Sequence, residues 1–157
     1  MKQDRFLTGI LLGIIVLVLF SLAVFFLRRN QQNYVDDSTP QGVVQNYIIA
    51  LQKRDYEKAY TYLADLENKP TFEQFRQAFF SGGISPSNVG VEILRTETDQ
   101  DLARVELNII FSSGVPFESG GRYIENAQLI RQSGVWKIKQ MPYQFWYYGW
   151  YQPTPKN

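Results

Sequence analysis

Thr39-Pro-Gln-Gly-Val-Val-Gln-Asn-Tyr-Ile-Ile-Ala-Leu-Gln-Lys-Arg-Asp-Tyr-Glu-Lys-Ala-Tyr-Thr-Tyr-Leu63 decides how this chain folds. It reads as two helices joined by a tight turn at Lys53-Arg54-Asp55. Thr39 is a good N-cap, with Pro40 at the first helical position, where a missing N–H costs nothing. Val44, Tyr47, Ile48 and Leu51 recur at the 3.6-residue period and form one apolar stripe. Asp55 can cap the second helix, whose stripe is Tyr56, Ala59, Tyr60 and Leu63. Two such stripes need a further layer to pack on.

Outward on the N-terminal side lies Phe6–Leu27, 22 residues without a charge. As a helix it spans about 33 Å, against a hydrocarbon core of roughly 30 Å. Ser21-Leu-Ala23 offers a small-x-small cleavage site, so a signal peptide competes with an anchor. The apolar run exceeds the 7–15 residues of a typical signal core and continues through Val24-Phe-Phe-Leu27, which favours an uncleaved anchor. The layout is then a tail at 1–5, a transmembrane helix at 6–27, a juxtamembrane tether at 28–38, a domain at 39–151 and a disordered tail at 152–157. Lys2 and Arg5 on one flank balance Arg28 and Arg29 on the other, so charge does not set orientation. Leaving five residues in the cytoplasm is the simpler arrangement. That makes the protein single-pass in the cell membrane with an extracytoplasmic domain.

Outward on the other side, Thr71 and Gln74 have capping-box spacing, and Phe72, Phe75 and Phe79 place a third helix before Gly82-Gly83. From Val91 the period becomes two. Ala103, Val105, Leu107, Ile109 and Phe111 alternate with Arg104, Glu106 and Asn108. Tyr123–Arg131 is another strand, and Gln132-Ser-Gly134 turns it into Val135–Met141. Helices first and antiparallel strands afterwards predict an α+β domain: three helices on a curved sheet of about four strands.

Composition removes several kinds of chemistry. The chain has 157 residues, no Cys and no His. Serine–histidine hydrolysis, thiol catalysis, thiolate metal sites and histidine zinc sites are therefore excluded. From Ser38 onward twelve Lys/Arg meet twelve Asp/Glu. A neutral domain lacks the footprint that phosphate backbones demand, so nucleic acid is not an expected partner. There is no P-loop or dinucleotide fingerprint, and no cofactor is expected. Asp99 and Asp101 read as turn residues, and no metal site is expected. Glu125 with Glu106 or Glu118 could be offered as an acid pair, but no spacing makes them converge.

Val43-Val44-Gln45-Asn46-Tyr47, Ala50-Leu51, Asp55-Tyr56 and Gly134-Val135-Trp136-Lys137-Ile138 resemble the nuclear transport factor two-like superfamily over about residues 40–141. That resemblance implies a cone-shaped α+β fold, which hosts many unrelated tasks. In its ketosteroid isomerase members a tyrosine at the Tyr47 position stabilises an oxyanion, and a carboxylate base lies in an Asp-Pro segment. The corresponding stretch here, Ala64-Asp-Leu-Glu-Asn-Lys-Pro-Thr71, contains no Asp-Pro. Tyr47 therefore reads as a core tyrosine whose hydroxyl meets a polar partner. The anchor-plus-domain layout also resembles the inner-membrane assembly component of type IV secretion systems.

These readings converge on a membrane-anchored, non-catalytic binding or assembly module that meets the bilayer through 6–27. A protein partner or a second copy would dock on the sheet face. The alternative is a small-molecule binder, or a lyase or isomerase, using the cone cavity, with Tyr47, Tyr60, Glu125 and Trp136 as lining residues. Seven aromatics crowd Pro142–Tyr151. They can cap the cone, touch lipid or bind protein, and Phe145, Trp146, Tyr148 and Trp150 are the interaction-surface candidates.

Overall fold

The computed structural model describes residues 5–29, 33–84, 86, 89–111 and 120–153. Residues 1–4 of the expected N-terminal tail, part of the tether, the loop carrying Glu118 and the end of the C-terminal tail lie outside the described residues. The chain divides into two units, Met1–Asn33 and Tyr34–Asn157. The first holds helix α1 (Arg5–Arg29). Thr8–Phe25 within it is long and apolar enough to cross a membrane, a test that a signal sequence also passes.

The second unit is α+β. Helices α2 (Pro40–Gln52), α3 (Tyr56–Thr61) and α4 (Phe72–Phe80) precede strands β1 (Val89–Asp99), β2 (Leu102–Phe111), β3 (Arg122–Gln132) and β4 (Val135–Gln140). The strands form one curved, unclosed antiparallel sheet in the order β1-β2-β3-β4. The local signals act as their chemistry dictates. Thr39 Oγ1 accepts the Gly42 N–H, and Asp55 Oδ1 accepts the Lys58 N–H. Thr71 and Gln74 form the reciprocal capping box, with bonds of 2.9 and 3.2 Å. Ser133 and Gly134 take φ of 51° and 82°, the left-handed pair that a two-residue hairpin requires.

Helix α2 is more deeply buried than one stripe implies. Val43, Val44, Tyr47, Ile48, Ile49, Ala50 and Leu51 are all buried, because the helix crosses the sheet and touches β1, β2 and β4. Against it stand Val105, Leu107, Ile109, Ala127, Leu129 and Ile138, all within the core. Leu94 is an extra residue, since Ile93 pairs with Leu107 and Arg95 with Glu106. This bulge reverses which β1 residues face inward and bends the edge strand, a turnover that period-two reading cannot follow.

Two local readings change. Tyr34–Ser38, read as part of the tether, falls in the second unit, Tyr34–Asn157, and is bound down as a strap. The Asn46 side chain accepts the Val35 N–H and donates to the Val35 carbonyl, both at 2.8 Å. Leu63 is not part of the second helix. It follows α3 and pairs in parallel with Ile138, where Ala64 N–H donates to the Ile138 carbonyl and Ile138 N–H to the Tyr62 carbonyl. The edge of β4 is thereby covered. The aromatic tail folds inward as turns, in line with the capping alternative.

Candidate functional site

The hollow that such a sheet creates is filled with rings. Tyr47 on α2, Phe75 on α4 and Phe145 in the tail are wholly buried, and Trp146 and Trp150 are 5% exposed. Trp150 stacks on Phe75 at 5.0 Å, Trp146 meets Trp150 edge-on at 5.0 Å, and Phe75 packs on Phe79 at 5.1 Å. Tail and helices are also tied through the backbone. Tyr47 Oη donates to the Phe145 carbonyl at 2.8 Å, and Tyr151 Oη to the Ala64 carbonyl at 2.6 Å.

The sequence-selected residues therefore fall in different places. Tyr47 is a core tyrosine with its hydroxyl committed to a carbonyl, and burial pushes its pKa well up. Tyr60 is half-buried and donates to the Pro70 carbonyl at 2.8 Å. Trp136 is buried on β4, with the Arg131 guanidinium 5.7 Å from its ring. Glu125 shares the inward face of β3 with Tyr123, Ala127 and Leu129 and lies opposite Leu107. It is half-buried, as alternation from Tyr123 requires. No described contact joins it to Tyr47. Glu106 lies on the opposite face, 3.6 Å from the Arg95 guanidinium. Of the interaction-surface candidates, Phe145, Trp146 and Trp150 belong to the core, which corrects their assignment to a surface. Tyr148 is 69% exposed. The physical reason is mutual: these rings supply the layer that the stripes of α2 and α4 need.

Tyr47→Phe should cost about 1–3 kcal/mol, because it strands a buried carbonyl. It should also flatten the alkaline limb of stability. A folded-state pKa raised above the ordinary value of 10.0 means stability is complete below pH 10 and falls above it, as the unfolded chain ionises first. Urea midpoints of both chains between pH 8 and 11 would measure this.

Sequence reasoning missed a second place. The tail, the Asn68–Pro70 connection and one face of α4 enclose an open groove of about 690 Å³. Gln74, Gln77 and Glu73 line the helix side, Asn68 and Lys69 the connection, and Tyr147 and Trp150 the tail side. Gly149 allows this arrangement: a Cβ there would lie 2.4 Å from the Tyr147 ring, so the ring lies directly over the glycine. Asn68 and Tyr151 hold φ of 59° and 62°, and the Tyr151 N–H bonds the Asn68 carbonyl at 3.2 Å. A glycine within an aromatic run was the available signal. The partner helix, some 70 residues away in sequence, was not.

No family model matches the chain, and no curated protein does. Solved structures similar to it include a SEC-C motif-containing protein from Rhodopseudomonas palustris, at 13% identity over 68% of this chain and 79% of that one, with a TM-score of 0.49. Another is an NTF2-like protein of unknown function from Pseudomonas putida KT2440, at 15% identity, with coverage of 65% and 80% and a TM-score of 0.45. A third is a protein with a cystatin-like fold from Nostoc punctiforme, at 14% identity, with coverage of 62% and 81% and a TM-score of 0.45.

Proposed function

We propose that this protein is a single-pass membrane-anchored, non-catalytic binding or assembly module with a cone-shaped domain of the nuclear transport factor two-like kind, held outside the cytoplasm. The observation that carries the non-catalytic part is the filled cone. Tyr47 is wholly buried, and its hydroxyl is committed to the Phe145 carbonyl. An oxyanion donor must instead face the place where charge develops. The apolar run of α1 supports the anchor, and the short polar stretch after Arg29 would keep the domain near the bilayer.

Docking would use the outer sheet face, where Ile124 is 62% exposed and the Arg95–Glu106 pair lies alongside. Because the chain has no cysteine, Ile124→Cys provides one reporter thiol. Mild oxidation should link two copies if the face is self-complementary, as a two-fold contact brings equivalent residues together. N-terminal sequencing of the membrane fraction should find residues 1–27 retained. A mature chain starting after Ala23 would remove the anchor from this reading.

Glu125 favours a second reading, a small-molecule site at the mouth of the cone. It faces inward beside Tyr123, and burial together with the Tyr143 hydroxyl raises the Tyr123 pKa. A turnover lost in both Glu125→Gln and Tyr47→Phe would establish that reading and displace the module.

A further inference from the structure

We infer that the groove between α4 and the tail is a binding site for a sugar ring of the N-acetylhexosamine class. At about 690 Å³ it falls within the size range of small-molecule sites. Its walls differ in chemistry. Tyr147, 50% exposed and held over Gly149, gives one aromatic face, with Trp150 at a ring distance of 6.2 Å. Gln74 and Gln77 of α4 and Asn68 of the connection bring amides to the same groove.

Each ligand class meets these walls differently. A purely apolar molecule would strip water from the amides and return no hydrogen bond. An anion finds Lys69 already 4.0 Å from the Asp65 carboxylate, and the Arg76 guanidinium bonded to Glu73 at 2.9 Å. A pyranose carries an apolar C–H face and a rim of hydroxyls, and an N-acetyl substituent adds one donor and one acceptor. Ring face on Tyr147 and rim on the amides satisfies both walls.

The site is also built in advance. Trp150 is fixed by stacking on Phe75, Pro70 accepts the Tyr60 hydroxyl, and the capping box fixes the start of α4. Tyr151, in the left-handed region at φ 62°, sits in a conformation disfavoured for a bulky side chain, at the point where the tail is tied to Asn68. Strain of this kind collects at ligand sites. A rigid groove spares the ligand an ordering cost.

The test uses the isotope-labelled full chain in micelles of a detergent without a sugar headgroup, titrated with tri-N-acetylchitotriose. Resonances of the Gln74 and Gln77 amides and the Trp150 indole should move together, with a Kd on the order of 1 mM. Tyr147→Ala should weaken binding about tenfold and Tyr147→Phe should leave it within about twofold, since the ring face is retained. Gln77→Leu, on the exposed helix surface, should weaken it about fivefold and serves as the deciding variant if Tyr147→Ala disturbs the fold. Shifts that are absent, that map elsewhere or that survive Gln77→Leu unchanged would overturn the assignment. So would equal shifts from a neutral tripeptide, because that outcome makes the groove a peptide site. Failure here leaves the membrane-module reading intact, as the two depend on different residues.

Discussion

A chain ending at Pro142 is expected to lose cooperative unfolding altogether. The truncation removes Phe145, Trp146 and Trp150, which are 0%, 5% and 5% exposed. Truncating a single buried Phe or Trp costs about 3–5 kcal/mol, so losing three approaches or exceeds the roughly 5–15 kcal/mol that holds a typical domain together. The lost contacts are also shared. Phe75 loses its stacking partner, and the Tyr47 hydroxyl loses its acceptor inside an apolar core. The shortened chain should show no sigmoidal thermal transition by near-ultraviolet circular dichroism and should bind a hydrophobic dye. If the tail were an appendage for lipid or protein contact, the melting curve would be unchanged and only membrane association would move. The two outcomes separate a core element from a contact surface.

The second large effect is expected at Gly42. A Cβ there would stand 1.9 Å from the Asp36 carbonyl oxygen and 3.0 Å from its carbon. Both atoms are backbone, so no rotamer relieves the clash. Gly42→Ala must lift the strap, and the strap is what satisfies Asn46, a side chain only 1% exposed. Both of its 2.8 Å bonds to Val35 would be lost, leaving a buried amide unpaired. The expected destabilisation is about 2–4 kcal/mol. Hydrogen exchange at the Val35 amide should accelerate to the rate of an open chain, while exchange along β2 should slow or quicken only with overall stability. Protection retained at Val35 in Gly42→Ala would show that the strap has another hold.

These two sites mark where reading the sequence stops. Thr39, Asp55, Thr71 and the Ser133-Gly134 turn act through neighbours within three or four residues, so each was legible with its geometry. The inward residues of β2 were legible because nothing interrupts their alternation. Leu94 was not, since a bulge leaves no trace in composition and reverses the faces after it. Asn46 carries no local signal of its own. Its role depends on Val35, eleven residues earlier, in a stretch that reads as a spacer. The tail was the hardest. Seven aromatics without a period favour burial over lipid or a partner only by the size of the patch they would expose, and the hollow of the sheet is what decides among the three. For the same reason the groove was invisible: its two walls are far apart in the chain, and neither wall alone has a binding pattern.

The bond from the Tyr47 hydroxyl to the Phe145 carbonyl joins residues 98 apart in sequence, and the bond from Tyr151 to Ala64 joins residues 87 apart. A ribosome adds about 5–20 residues per second, so the helix pair exists for roughly 5–20 seconds before the groups it needs have been made. Through that interval α2 holds an unpaired hydroxyl and α4 a face of bare rings. The sheet can pair strand by strand as it emerges, but closure waits for the tail. The order of synthesis therefore makes the emergence of Tyr143–Tyr151 the step at which this domain's core closes. Slowing translation before the tail codons should lengthen that interval without altering the finished fold.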